Sequence, residues 1–294
     1  MQVMLVLLVL FLSRGANAAG IKLAQRGRVS TLPESVVFVT IYSALQALLM
    51  LLIPPYQLIV TEPRFYISPF FYALFYFVGN VLLVKSLRIG SASIANTIGS
   101  FNSLVVIAFG MCFWQEKLGL YEIIGLILFV VGLALYNGSS FSINGERQKI
   151  SAKFLLCALA SMLMNGTAVI FTKLGMQAFP ECGKQYLFYY SLFAALIGAA
   201  VSGIGAPRTL VRYCKDWRML LFTALAALCV DVSNTLFVSY INAFPSAIFL
   251  PSFSVVGMLG ILIASRVILK ERISKSALIS SIICIVAVLL LNIS

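Results

Sequence analysis

GANAAGIK at residues 15–22 and GTAVIFTK at residues 166–173 each begin with a glycine and end with a lysine seven residues on, at an offset of 151. Each stretch closes or nearly closes an apolar run. Further along, Ser91-Ala92 answers Ser246-Ala247, and Glu116 beside a cation answers Glu271, both at an offset of 155. Asn137, at the end of the fifth apolar run, answers Asn292 at the end of the tenth. The matches are short but keep their order, so the two halves of the chain read as copies of one another. Five runs per half is an odd number, and the second half must therefore enter a membrane from the opposite side. An inverted repeat of this kind is a transporter architecture, with the site near the midplane between the repeats.

The runs themselves cover residues 3–23, 35–53, 66–84, 91–113, 120–136, 154–171, 185–201, 219–240, 246–267 and 276–291. A transmembrane helix needs about 20 mostly apolar residues, so the expectation is an all-α polytopic membrane protein with ten transmembrane helices in two inverted five-helix repeats. The first repeat would cover residues 1–137 and the second 152–294, with the polar stretch 138–151 joining them. Of the 294 residues, 61% are hydrophobic and 10% charged, with a mean hydropathy of +1.04. A soluble domain carries about 25% charged residues, so this chain cannot cover a water-facing surface. Ten spans leave under about ten residues per connection, too few for a catalytic domain outside the membrane. Ala16-Asn17-Ala18 resembles a signal-peptide cleavage site, but no basic segment precedes the first run, which reads as a span.

The chain has no histidine, which removes histidine acid–base catalysis, catalytic triads and His-ligated metals. No metal, no cofactor and no enzymatic activity are expected. The formal charge is +12. Its cations fall in short loops, where they read as topology signals facing the lipid bilayer rather than nucleic acid. Six cysteines lack C-x-x-C spacing. Cys112, Cys157, Cys229 and Cys284 lie in apolar runs, and Cys182 and Cys214 in successive loops on opposite faces; free thiols are expected.

In these motifs the chain resembles the EamA-like ten-helix transporters of the drug/metabolite transporter superfamily. The resemblance rests on the Gly-then-Lys at the end of the first helix of each half and on the small-residue openings Gly90-Ser-Ala-Ser and Pro245-Ser-Ala. It rests also on Trp114-Gln-Glu-Lys-Leu and Leu269-Lys-Glu-Arg-Ile before the closing helices. The chain departs in lacking the usual proline midway along the fourth and ninth helices, where Asn102-Ser103 and Gly257-Met258 stand. It departs again in having Arg14 where an aromatic or small residue is common. The resemblance implies that the first, third, fourth, sixth, eighth and ninth helices line a central cavity.

Candidate substrate-binding residues follow from what is costly inside a span. Arg14 lies about 16 Å along the first helix at 1.5 Å per residue, near mid-bilayer, where a charge needs water, a partner or an anionic ligand. Asn17 shares its face. Asp231 is the one acidic residue deep in a span; it pairs with Arg14 across the repeats, loads and releases protons, or is merely tolerated near a helix end, and Asn234 sits on its face. Tyr72, Tyr76 and Asn80 form one stripe, and Asn96, Ser100 and Ser103 another. Asn165 and Thr172 mark the sixth helix. Any of these stripes could equally be interhelical packing. Ser191, Ala195, Ala199 and Gly203, with Gly125 and Gly132, read as close packing. Glu116 and Glu271 read as structural, each favouring the dipole of the helix it precedes.

Odd-numbered loops hold sixteen of the Lys and Arg and even-numbered loops four. This bias puts the odd loops in the cytoplasm and both termini outside, whereas the family habit is cytoplasmic termini. The function expected is a secondary transporter, an exporter of a small organic metabolite such as an amino acid or related amphiphile, in the plasma (inner) membrane. No nucleotide-hydrolysing motif is present, so a proton or an exchange substrate would drive it. The alternatives are a phosphorylated-metabolite or nucleotide-sugar antiporter and, from another class, a non-transporting scaffold or intramembrane enzyme.

Overall fold

The computed structural model describes residues 2–25, 31–52, 58–89, 98, 101–138, 152–268 and 275–291. Among these residues the regular structure is helical throughout: α1 (Gln2–Gln25), α2 (Leu32–Leu52), a 3₁₀ turn (Pro63–Tyr66), α3 (Ile67–Ile89), α4 (Asn102–Phe113) and α5 (Leu120–Gly138). There follow α6 (Ala152–Ala178), α7 (Gly183–Gly205), α8 (Pro207–Lys215), α9 (Trp217–Tyr240), α10 (Ser246–Val267) and α11 (Lys275–Leu291). Five stretches, Pro33–Leu52, Pro63–Leu83, Ala152–Ala178, Gly183–Gly205 and Trp217–Tyr240, are long and apolar enough to cross a membrane. Shorter apolar helical stretches occupy α1, α4, α5, α10 and α11. Leu8, Leu12, Leu52, Leu156 and Ile282 stand more than half exposed on the outside of the bundle, a surface suited to hydrocarbon. This is a polytopic integral membrane protein.

Two elements differ from the expectation. α6 continues past residue 171 to Ala178, because Lys173, expected to end it, is buried and neutralised by an acid described below. Between residues 205 and 217, expected as a basic loop, stands α8, a nine-residue helix opened by Pro207. Its Tyr213 is buried among Ala24, Val37, Phe38 and Met219, while Arg212 faces out and pairs with Glu34 at 2.8 Å. An apolar anchor with a cationic outer face suits a helix lying at the headgroup level.

The pairing of helices is two-fold. α3 packs on α6 as α9 packs on α1, α4 packs on α6 as α10 packs on α1, and α3 meets α7 as α9 meets α2. The remaining large contacts join α2 to α7 and α5 to α11. The glycines of the opening motif explain the tightest of these. A Cβ on Gly15 would stand 2.5 Å from the carbonyl oxygen of Gly260, and one on Gly260 would stand 2.1 Å from that of Phe11. Only glycine lets two membrane helices approach so closely. In the second half, a Cβ on Gly166 would lie 2.6 Å from Val105 Cβ, and Val105 is the counterpart of Gly260 at the offset of 155.

In α7 the packing stripe is not quite the expected one. Ser191 and Ala195 are buried, but Ala199 and Gly203 are exposed, and Gly198 is the residue that abuts Thr40 of α2. Gly125 and Gly132 pack against Leu291 and Cys284 of α11. All six cysteines are free, with Cys112 and Cys214 exposed.

Candidate functional site

Between the halves lies a cavity of about 550 Å³. Its wall takes Arg14 from α1, Gln46 from α2, Tyr72 and Tyr76 from α3, and Asn102, Ser103 and Val106 from α4. The second half supplies Val169 and Thr172 (α6), Tyr186 and Tyr190 (α7), Val230, Asn234 and Phe237 (α9), and Leu250, Phe253 and Gly257 (α10). Helices α2 and α7 thus join the six that the family resemblance implied. Tyr186 and Tyr190 repeat the i, i+4 spacing of Tyr72 and Tyr76, a signal present in the sequence and easily taken for packing. Gln46, an amide inside an apolar span, is the other legible clue.

Arg14 runs alongside Gly257, where a Cβ would meet Arg14 Cγ at 3.5 Å, an ordinary van der Waals contact. Its guanidinium stands 4.8 Å from the ring centre of Phe253, a cation–π contact. Tyr42, Tyr72, Tyr76 and Tyr190 lie within its electrostatic reach. Among the described residues it forms no ion pair, so the Arg14–Asp231 alternative is not what the structure holds.

Asp231 lies behind the wall, 1% exposed. Its partner is Gln46, whose Nε2 donates to Oδ1 at 3.1 Å. Asp231 Oδ2 and Gln46 Oε1 have no hydrogen-bond partner among the described residues. Gln46 therefore stands between the buried carboxyl group and the cavity and touches both.

The other candidates separate into wall and frame. Asn234 is in the wall and donates to the Tyr190 hydroxyl at 2.8 Å. Ser103 is in the wall, 4% exposed, its hydroxyl unpartnered, and Thr172 accepts from Tyr186 OH at 3.4 Å. Asn17 is frame: its Nδ2 donates to Tyr42 OH at 2.7 Å and to the carbonyl of Ala226 at 2.8 Å, tying α1 to α2 and α9. Asn80 bonds back to the carbonyl of Tyr76. Asn165 bonds to the carbonyl of Ser161, whose hydroxyl donates to Gly79 of α3. These three do not line the cavity. Asn96 and Ser100 lie outside the described residues.

Beside the cavity, next to Thr172, Lys173 Nζ meets Glu116 Oε1 at 2.5 Å and donates to Ser246 Oγ at 2.7 Å. Trp114 lies flat against the same ammonium, 4.3 Å from ring centre to Nζ. The Ser246 backbone N–H donates to Glu116 Oε2 at 3.0 Å, so Glu116 caps α10, not the α5 that follows it. Glu122 takes that second task, accepting from Gly119 N at 2.6 Å. Glu116 is placed by a left-handed turn at Gln115 (φ 53°), which returns its N–H to the carbonyl of Gly110 at 3.2 Å. A lysine, a glutamate and a serine from the three motifs of the two halves thus meet at one point. Glu271 lies outside the described residues.

Comparison with known proteins gives the following. Over 92 residues, 31% of this chain and 67% of the relative, the chain is 27% identical to an uncharacterized protein of Methanocaldococcus jannaschii. A protein crystal structure matches 98% of this chain and 96% of its own with a TM-score of 0.68 at 14% identity, a likeness of fold alone. Residues 1–138 match the EamA-like transporter family. That family is part of the drug/metabolite transporter superfamily, and the match covers the first of the two stretches that the sequence reads as copies of one another.

Proposed function

We propose that this chain is a secondary transporter that exports a small organic metabolite, an amino acid or related amphiphile, across the plasma (inner) membrane. Ten spans would form two inverted repeats, residues 1–137 and 152–294, rocking about the cavity so that access alternates. The observation that carries this reading is the cavity itself: a polar and aromatic space walled by both halves, with an arginine at mid-helix in its wall. The two-fold helix pairing and the shared offset of Gly260 and Val105 support the repeat. Buried Asp231, reached through Gln46, supports coupling to a proton. The antiporter of phosphorylated metabolites is less well supported, because such a substrate calls for a second cation and Lys173 is engaged by Glu116.

The test is flux in proteoliposomes carrying the purified chain, against a panel of labelled metabolites, with and without a proton gradient. Flux above protein-free vesicles, lost in Arg14→Gln, is expected. A folded protein that moves no member of the panel under any gradient overturns the reading.

A further inference from the structure

We infer that the cavity selects a monoanion with a flat apolar body, an aromatic carboxylate in chemical class, and rejects the zwitterion of the same shape. This rests on the transport reading above and, of the substrates named there, keeps the related amphiphile and drops the amino acid. Among the described residues of the wall, Arg14 is the one charged side chain. It forms no ion pair or hydrogen bond among the described residues, and its close polar company is limited to phenols and the face of Phe253. A guanidinium inside a span without a counter-charge is costly, and an incoming anion removes that cost; the fork of N–H donors fits a carboxylate in two-point contact.

An ammonium group meets the opposite situation. No carboxyl group lines the described wall: Asp231 is 1% exposed behind Gln46 and Glu116 is engaged by Lys173, so the amino group of an amino acid would be stripped of water with no acid to receive it. The rest of the wall suits a flat body. Tyr72 leans on Tyr190 with ring centres 4.5 Å apart, and Phe237 meets Phe253 edge-on at 4.8 Å. Rings on two sides favour a planar apolar solute. Ser103, buried and unpartnered on the wall, offers a neutral hydrogen bond besides Arg14.

The experiment uses the full chain in detergent and three solutes of one shape: phenylpropionate, phenylalanine and phenylpropanamide, monoanion, zwitterion and neutral amide at pH 7. Ligand-dependent thermal stabilisation reports each affinity. Phenylpropionate should bind at least tenfold more tightly than the other two. Arg14→Gln should erase that preference, and Arg14→Lys should keep its direction. Equal or tighter binding of phenylalanine, binding of none of the three, or an anion preference that survives in Arg14→Gln would each overturn the inference. Should Arg14→Gln fail to fold, the ranking of the three solutes on the native chain decides alone. Flux assays separate this inference from the transport reading. Flux of phenylalanine without phenylpropionate sinks anion selection and leaves the transporter standing, whereas ranked binding without flux of any solute does the reverse.

Discussion

At the scale of single residues, two departures from the family pattern stand side by side. Gly257 of α10 lies against the Arg14 side chain, close enough that a Cβ would just touch it and a longer side chain would not fit. Gly257→Leu should displace the guanidinium and weaken anion binding at least tenfold while leaving the thermal midpoint close to native; unchanged binding would show that Arg14 does not need that space. Asn17→Ala should behave in the opposite way. It strands Tyr42 and the carbonyl of Ala226, at a cost of about 1–3 kcal/mol, and should lower stability without altering which solute binds. The sequence made both residues visible as polar groups in one span but could not tell wall from frame. A helical wheel places Arg14 and Asn17 on one face; what divides them is which neighbouring helix each meets, and that depends on long-range packing. Asp231 was visible for the same reason, but its pairing with Gln46 was not, because 185 residues separate them.

At the scale of elements, the α4–α5 turn carries the most consequence. Gln115 holds a backbone conformation that favours glycine, so Gln115→Gly should raise stability by about 0.5–1 kcal/mol, read as a higher midpoint. Loss of stability instead would mean that the Gln side chain matters more than its backbone. Glu116→Gln breaks a buried ion pair from one side, an injury of about 3–5 kcal/mol, and Lys173→Met in the same chain should restore much of it. A double variant no better than the single would place the cost in the lost cap of α10. The five stretches long enough to cross a membrane were legible from length and apolarity alone. The missed element, α8, is short and basic; its apolar and cationic residues do fall on opposite faces, but nine residues of low apolarity escape a reading that looks for long apolar runs.

For the whole molecule, charge distribution makes a prediction about sidedness. Native Cys214 is exposed in α8, and Cys182 stands partly covered just before α7, the candidate span that separates the two. By the positive-inside bias, a membrane-impermeant maleimide applied to intact cells should spare Cys214 and reach Cys182; the reverse labelling would give the termini to the cytoplasm. Burial and neighbouring Glu181 push the Cys182 thiol above its ordinary range, so its labelling should climb with pH beyond the point where a free thiol levels off.

The two-fold interlock has a consequence for how the protein is made. α1 has its glycine face against α10, and α3 lies along α6, so the first five helices leave the ribosome with their best contact surfaces uncovered. Until the second half arrives, Glu116 is a carboxylate with neither its lysine nor its helix start. A nascent first half is therefore a client for insertases and a target for membrane proteases. Residues 1–144 and 145–294 expressed as separate polypeptides should each be degraded alone and accumulate together when co-expressed. Gly260→Ala in the second fragment should abolish that mutual protection, since its added carbon has nowhere to go between Phe11 and Gly15.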